Sequence, residues 1–138
     1  MRAEARAAAV AGAVALVLAC PLAAGCGRGQ SDDEQVRATL DAFAQATARR
    51  DWRRICDEVL ARRLLDRLRA AGVGCEVALS TGLEGVRQPR LEIGAVTVRG
   101  DAASARVRTR AANQNESTDT VELAREGEGW RIVALGGG

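Results

Sequence analysis

The sequence contains no histidine, lysine or tyrosine, and its aromatic residues are two tryptophans and one phenylalanine. Histidine is the commonest general acid–base residue and a frequent zinc ligand, so its absence excludes histidine-dependent catalytic triads and histidine-containing metal centres. With 20 basic and 18 acidic side chains, the formal net charge is only +2, which does not favour a nucleic-acid partner. We therefore expect no metal site, no cofactor and no nucleic-acid binding.

The sequence also lacks an apolar run long enough for a comfortable membrane-spanning helix. The stretch 7–19 is rich in alanine, follows the positive charges of Arg2 and Arg6, and is interrupted soon afterwards by Pro21. A spanning helix needs about 20 strongly apolar residues, whereas a secretory signal has a shorter apolar region followed by small residues. The pattern therefore predicts a signal peptide over residues 1–25, with a transmembrane helix as the alternative.

The end of this stretch, "LAAGC", resembles a bacterial lipobox, the recognition site of lipoprotein signal peptidase. In that family the peptidase cleaves before a cysteine whose sulfur carries diacylglycerol, and Cys26 occupies that position here. Leu22 departs from the usual pattern, because it lies one place further from the cysteine. Cys20 in "LVLAC" is a second candidate, and ordinary cleavage after Ala24 or Gly25 is the alternative. The resemblance implies a lipid-anchored protein on the extracytoplasmic side of the cell membrane.

The remaining chain predicts one small domain, residues 32–136, joined to the anchor by a flexible, glycine-rich tether at 26–31. Its two cysteines, Cys56 and Cys75, face an oxidising compartment if the chain is exported, and we predict that they form a disulfide. Such a bond stabilises the fold by roughly 3 kcal/mol in the chain-entropy model. Two unpaired buried thiols are the alternative.

The first half of the domain has helical spacing. Ser31 and Glu34 in "SDDE" predict a capping box, and the apolar residues that follow predict a first helix ending near Arg49 or Arg50. Asp51 is a good N-cap for a second helix, "DWRRICDEVL".

The cysteine pair argues against one long rod after residue 51. A straight helix rises about 1.5 Å per residue, so Cys56 and Ala70 would lie about 21 Å apart and the bond to Cys75 would be strained. We therefore predict a bend at residues 60–63, a third helix in "RRLLDRLRA" and a fourth helical segment from Cys75 to Leu83.

The second half has strand spacing. "LEIGAVTVRG" predicts a strand with a bulge at Gly94, and "ASARVRTRAA" predicts a strand with one buried and one solvated face. We expect "NQNES" to form a loop and "TDTVELARE" and "WRIVAL" to form two further strands. Helices followed by antiparallel strands predict an α+β fold, with the helices packed on one face of a curved sheet.

This order of elements, over residues 32–136, resembles the nuclear-transport-factor-2-like (NTF2-like) superfamily of cone-shaped α+β domains. More narrowly, it is similar to the small exported lipoproteins of actinobacteria that carry such a domain. The resemblance rests on "AFAQATARRDW", on a cysteine in the second helix and another after the hairpin loop, and on the closing "GWRIVAL". It implies N-terminal helices on a curved antiparallel sheet of about four strands. Members include ketosteroid isomerase-like, polyketide cyclase-like and scytalone dehydratase-like enzymes, and many non-catalytic binding or assembly domains.

Enzymes with that fold use an Asp or His base in the cone, with Tyr, protonated Asp or His as donor. Because histidine and tyrosine are missing, the remaining candidates are carboxylates: Asp41, Asp51, Asp57, Asp66, Glu92, Asp119 and Glu122. We expect Asp41, Glu92 and Glu122 to face solvent, and we assign no catalytic residue. An enzyme would require Glu92, Asp119 or Glu122 to point into the cavity.

Arg106, Arg108 and Arg110 alternate with apolar residues and predict a positive row on the exposed sheet face, which is our candidate partner-binding surface. Our leading hypothesis is a non-catalytic, membrane-tethered domain that binds a small ligand or an envelope protein through the cone mouth or this face. One alternative is an isomerase-, dehydratase- or cyclase-like enzyme with a single cavity carboxylate. The other is a homodimer through the open sheet, with a structural or assembly role.

Overall fold

A computed structural model describes residues 29–136, so the predicted signal peptide, Cys20 and Cys26 lie outside the described residues. The helices are α1 (Asp32–Arg49), α2 (Trp52–Arg54), α3 (Arg62–Ala70) and α4 (Cys75–Gly82), with a π-helical turn (Ile55–Val59) after α2. The strands are β1 (Arg90–Arg99), β2 (Ala102–Ala111), β3 (Gln114–Glu126) and β4 (Gly129–Leu135). They form one antiparallel sheet in the order β1-β2-β3-β4, which confirms the predicted α+β fold.

Helix α1 begins and ends where its sequence signals predict. The Ser31 hydroxyl accepts a hydrogen bond from Glu34 N at 3.3 Å, and the Glu34 carboxylate accepts one from Ser31 N at 2.8 Å, which forms the capping box. Arg50 adopts a left-handed conformation with φ 58 and closes the helix. Val36 and Leu40 are completely buried on the face that packs against the sheet.

The segment after Asp51 corrects the prediction of a regular second helix. Asp51 does cap α2, but the backbone then widens into a π turn in which Leu60 N donates to Ile55 O at 3.0 Å. Leu60 and Ala61 next become extended and pair with β4, where Ala61 N donates to Ile132 O at 2.8 Å. This tertiary hydrogen bond competes with the backbone hydrogen bonds of the last helical turn. The spacing of apolar residues along the sequence does not predict it.

The predicted bend and disulfide are both present. Because the chain turns at Leu60 and Ala61, α3 folds back, and the Glu126 carboxylate accepts a hydrogen bond from the first amide of α3, Arg62 N, at 3.0 Å. Cys56 and Cys75 form a disulfide with their Cα atoms 6.1 Å apart. The bond fixes the start of α4 against the π turn and so positions the chain that leads into β1.

The sheet has the predicted bulge and one strand that is longer than predicted. The β1–β2 register shifts between Ile93 and Val96, and a Cβ atom on Gly94 would lie only 3.1 Å from Arg106 O. The "NQNES" segment is not a loop: the turn is confined to residues 112–113, and β3 already begins at Gln114. Side-chain contacts with the neighbouring strand stabilise these polar residues in the sheet. The intrinsic strand propensity of a residue does not account for such contacts, so the sequence pattern predicted a loop.

The hydrophobic core lies between α1, the π turn and the inner face of the sheet, which is the face that α1 covers. Its fully buried large side chains come from all of these elements: Val36, Leu40, Ile55, Val59, Leu123 and Ile132. In the C-terminal half of α1, Phe43 is only partly buried, whereas Ala46 in the next turn is completely buried. We call the end of the domain near Phe43 the open end, and the end near the start of α1, where Asp32, Arg125 and Trp130 are in contact, the closed end.

Candidate ligand-binding cavity

Two cavities that share a wall lie at the open end, between the C-terminal half of α1, the β2–β3 hairpin and residues 83–89, which we call the mouth loop. The sheet-side cavity has a volume of about 320 Å³ and the helix-side cavity one of about 590 Å³. Their shared wall consists of Thr47, Leu83, Val86 and Pro89. Both volumes lie in the range of pockets that hold small organic molecules.

The sheet-side cavity has apolar walls and one polar end. Phe43 from α1, Val86 from the mouth loop and Leu91 from β1 supply the apolar surface. Leu91 is in register with Thr109, and Thr109 with Ser117, so these three side chains form one row across the inner face. The hydroxyl oxygens of Thr109 and Ser117 lie 2.8 Å apart and share a hydrogen bond.

Thr47 lines both cavities, and its hydroxyl is the one buried side-chain polar atom in residues 29–136 that has no hydrogen-bond partner. Leaving a buried hydroxyl unpaired costs about 1–3 kcal/mol. Valine has the same shape without that cost, so folding alone does not explain a threonine here. The hydroxyl oxygen itself is inaccessible to solvent, so Thr47 lines the cavities with its other atoms.

The mouth loop is fastened to the β2–β3 turn. Asn113 Oδ1 accepts a hydrogen bond from Arg87 N at 3.1 Å, and Asn113 Nδ2 donates one to Gly85 O at 2.8 Å. Ala112 N also donates to Arg87 O at 2.8 Å. The backbone of Gln88, the residue before Pro89, has a φ of 49, which is uncommon for a residue other than glycine. The loop is thus held in one shape over the cavities.

Arginine is the charged residue of both cavities. Arg50 and Arg87 line the helix-side cavity, and Arg90 and Arg110 line the sheet-side cavity. None of the described residues that line either cavity is an aspartate or a glutamate. The charge of Arg110 is paired with Glu92 and Glu116. The arginines of the helix-side cavity are therefore the ones that favour anionic groups.

The three strand carboxylates that an enzyme could use occupy different faces. Glu92 and Glu122 are exposed on the outer face of the sheet, as expected from their alternation. Asp119 lies on the inner face, because it is paired in register with buried Val107. Ser117 donates a hydrogen bond to Asp119 Oδ2 at 2.8 Å, and Asp119 itself does not line either cavity.

The four helical carboxylates of the candidate set have local partners or face solvent. Asp51 caps α2 through a hydrogen bond from Arg54 N, Asp57 pairs with Arg53, and Asp66 pairs with Arg69. Asp41 is exposed on α1. They provide no group for the cavities.

The positive row on β2 is partly neutralised by carboxylates from its neighbouring strands. Arg108 lies 3.1 Å from Glu116 and 3.8 Å from Glu92, and Arg110 contacts the same two carboxylates. Arg106 is exposed and forms no ion pair with any described residue. The row therefore carries less free positive charge than the sequence pattern indicates.

Comparison with known structures identifies the architecture. The chain matches an NTF2-like protein of unknown function from Shewanella baltica OS155 with a TM-score of 0.53 and 15% sequence identity, over 76% of this chain and 93% of that chain. The domain has the NTF2-like fold. A family model described as "Putative lumazine-binding" matches residues 77–135. No curated protein sequence matches the chain.

The family match covers most of the cavity of this NTF2-like domain. Residues 77–135 include the mouth loop and all four strands, but not Thr47 or the other cavity residues of α1. Sequence reasoning named the cone mouth as a binding region but did not identify the residues of the cavity, because its walls come from separate segments. A signal that could have located the cavity was Val86, an apolar residue between Gly85 and Pro89 in an otherwise polar turn.

The closed end of the NTF2-like domain is held by Asp32, Arg125 and Trp130. Arg125 donates a hydrogen bond to Asp32, and its guanidinium lies 4.6 Å from the centroid of the Trp130 ring. This hydrogen bond keeps the pKa of Asp32 below its usual value although partial burial opposes it. In turn, Asp32 raises the pKa of Arg125. The cluster joins the start of α1 to β3 and β4, far along α1 from the cavities.

Two further features of residues 29–136 bear on function. No three cysteine, aspartate or glutamate side chains are grouped there as a metal site requires. No helix in this part of the chain combines the length and apolar character needed to cross a membrane.

Proposed function

We propose that this protein is a lipid-anchored, extracytoplasmic binding protein whose NTF2-like domain holds a small, partly apolar ligand without transforming it. The observation that carries the proposal is the sheet-side cavity of about 320 Å³, in which apolar walls meet a polar end. A cavity of this kind buries the body of a ligand and orients it through a few hydrogen bonds.

The match to the family described as "Putative lumazine-binding" supports the same proposal. Lumazine is a flat, two-ring heterocycle with hydrogen-bond donors and acceptors on its edge. Phe43 and Leu91 offer apolar contact to such a ring, and Gln114, Asn115 and Ser117 offer polar groups to its edge. Lumazine is therefore a reasonable first probe for this cavity.

The non-catalytic part of the proposal rests on the lack of a paired acid and base. Asp119 is the strand carboxylate on the inner face, and Ser117 already donates a hydrogen bond to it. The chain has no histidine or tyrosine to act with it as a proton donor. The cyclase-like or isomerase-like alternative would have to use Asp119, since Glu92 and Glu122 lie on the outer face.

Ligand binding is tested by fluorescence titration of the full chain carrying Cys20→Ser and Cys26→Ser, which we call the unlipidated chain. The two probes are lumazine and the neutral dye N-phenyl-1-naphthylamine. We expect saturable binding of at least one probe with one site per chain. If neither probe binds, the proposed function is contradicted.

The anchor is a separate part of the proposal and has its own test. Acyl chains contribute about 0.8 kcal/mol per buried methylene, so the chains on a lipoprotein cysteine hold it firmly at a membrane. Mass spectrometry of the mature N-terminus should show lipid on Cys26. The Cys26→Ser variant should lose the lipid mass and keep residues 1–25 uncleaved, and Cys20→Ser should be lipidated and cleaved like the parent. An unmodified N-terminus elsewhere would contradict the anchor.

The outer sheet face around Arg106 stays a proposed contact surface for an envelope protein or a second copy of the chain. Of the three arginines in the β2 row, Arg106 is the one without a carboxylate partner among the described residues. Analytical ultracentrifugation of the unlipidated chain and its Arg106→Glu variant tests the second copy. A concentration-dependent dimer that the substitution abolishes is expected for self-association, and a strict monomer contradicts it.

A further inference from the structure

The two cavities differ in chemistry although they share a wall. The sheet-side cavity is mainly apolar, whereas Arg50 and Arg87 both line the helix-side cavity and no carboxylate of the described residues lines it. A ligand that reached from one cavity into the other past the residues of this shared wall would therefore meet an apolar surface at one end and the two arginines at the other. We infer that the natural ligand is a small organic acid whose apolar body occupies the sheet-side cavity and whose anionic group binds Arg50 and Arg87. This inference rests on the proposed function.

The backbone at both arginines is fixed, which reduces the entropy lost when an anion binds. Arg50 is the left-handed residue that closes α1, and its N–H donates to Thr47 O at 3.0 Å. Arg87 is held on both sides by the β2–β3 turn, through Asn113 Oδ1 and Ala112 N. Both arginines thus line the helix-side cavity from backbone positions that are held by hydrogen bonds, and preorganisation of this kind favours affinity.

Both guanidinium groups are available to a ligand. Neither Arg50 nor Arg87 forms an ion pair with any described residue, in contrast to Arg110 on the sheet side, which contacts Glu92 and Glu116. Asp51 follows Arg50 in the chain, but its carboxylate accepts the capping hydrogen bond from Arg54 N. Guanidinium groups bind carboxylate, phosphate and sulfonate oxygens through paired, charge-assisted hydrogen bonds.

Thr47 lies between the two parts of the site, because it lines both cavities. Its hydroxyl oxygen is inaccessible to solvent, so the anionic group of the ligand would contact the two arginines and not this hydroxyl.

The test compares two dyes that differ chiefly in one anionic group. Both 8-anilinonaphthalene-1-sulfonate and N-phenyl-1-naphthylamine share an anilinonaphthalene body, and only the first carries a sulfonate. The unlipidated chain should bind the sulfonate dye about tenfold more tightly, as expected when charge-assisted hydrogen bonds add roughly 1.4 kcal/mol. The Arg50→Gln/Arg87→Gln variant should lose that difference and keep its affinity for the neutral dye.

The matched control is Arg63→Gln/Arg99→Gln, which removes the same charge from two exposed arginines outside both cavities. It should change neither affinity by more than about twofold. A second variant, Arg50→Lys/Arg87→Lys, keeps the charge and should retain part of the preference, while circular dichroism verifies folding of each protein.

The results of the dye titrations test the inference and the proposed function separately. If the neutral dye binds and the sulfonate dye binds no more tightly, the inference is wrong and the proposed function stands. Equal losses in the cavity variant and in the control would mean that only net charge matters, which also overturns the inference. If neither dye binds, the inference is wrong, and if lumazine also fails to bind, the proposed function itself fails.

Discussion

The side chain of Asn113 holds the backbone of Arg87 in place, because Asn113 Oδ1 accepts a hydrogen bond from Arg87 N at 3.1 Å. The same amide group donates to Gly85 O at 2.8 Å, so one side chain bridges two residues of the mouth loop. The turn between β2 and β3 and the loop before β1 therefore behave as one rigid wall. The shape of the binding cavity therefore depends on hydrogen bonds between residues that are 26 and 28 positions apart in the sequence.

The first prediction concerns this contact. Asn113→Ala removes two partly solvated hydrogen bonds and should lower the free energy of unfolding by about 1 kcal/mol. Its larger effect should be local: the amide of Arg87 should exchange hydrogen faster, as measured by hydrogen–deuterium exchange. Asn115→Ala is the control, since no hydrogen bond joins Asn115 to the loop in the described part of the chain. Unchanged exchange at Arg87 in Asn113→Ala would contradict the proposed rigid wall.

The second prediction uses the unpartnered hydroxyl of Thr47. Thr47→Val removes a buried polar atom without changing the shape of the side chain, so it should leave the melting temperature unchanged or raise it. It should also leave the affinity for the sulfonate dye unchanged, because the hydroxyl oxygen is inaccessible from the cavities. Thr39→Val is the matched control, because Thr39 Oγ1 hydrogen-bonds with Gln35 O and Trp130 O, both at 3.1 Å. That control should lose about 1 kcal/mol of stability and keep its affinity.

A result in which Thr47→Val destabilises the protein as much as Thr39→Val would show that the Thr47 hydroxyl has a structural partner.

The third prediction concerns the closed end. Asp32→Asn removes a carboxylate that contacts Arg125 and Trp130, whereas Asp33→Asn removes the same charge from the same helical turn but loses only the local pair with Arg37. Asp32→Asn should therefore be the less stable variant at neutral pH. Urea unfolding measures the difference.

The pH dependence of that difference follows from the lowered pKa of Asp32. A carboxyl whose pKa is depressed in the folded state contributes its full stability above its ordinary pKa of 3.8, and loses it as the pH falls through the lower folded-state value. The gap between the native protein and Asp32→Asn should thus be constant near neutral pH and should shrink below 3.8. A gap that widens in acid would contradict this assignment.

The fourth prediction concerns the disulfide between Cys56 and Cys75, which closes a loop with a sequence separation of 19. The Cys56→Ser/Cys75→Ser variant should lose about 3 kcal/mol of stability. Reductant should lower the melting temperature of the native protein and leave that of the variant unchanged. Because α4 leads into the mouth loop, reduction should also weaken dye binding. Equal sensitivity of both proteins to reductant would contradict a role for the bond.

Local signals predicted much of the fold from the sequence. The capping box at Ser31 marks the start of α1 through interactions within a few residues, and Gly94 marks the bulge for the same reason. The predicted end near Arg49 or Arg50 agrees with the structure, in which Arg50 is the C-cap. The bend before α3 followed from a covalent constraint, since the spacing of Cys56 and Cys75 is incompatible with a relaxed straight helix. The cap, the bulge and the bend depend on interactions or bonds between residues whose spacing can be read from the sequence.

The rest depends on partners that are distant in sequence. The π turn arises because Ala61 bonds to Ile132, and the early start of β3 is stabilised by Glu116 with the arginines of β2. The cavity combines Thr47, Val86 and Ser117 from three separate segments, and no local pattern links them. For the same reason, the alternation of polar and apolar residues placed Asp119 on a strand but did not show that this residue lies on the inner face of the sheet.

The central claim is that a small ligand occupies the sheet-side cavity, and blocking that cavity tests it most directly. Ala44 lines the cavity, whereas Ala38 is exposed on the same helix and lines neither cavity. In fluorescence titrations with N-phenyl-1-naphthylamine, the Ala44→Trp variant of the unlipidated chain should lose at least about tenfold in affinity, and Ala38→Trp should match the parent within about twofold. Undiminished binding by a folded Ala44→Trp protein would contradict the claim.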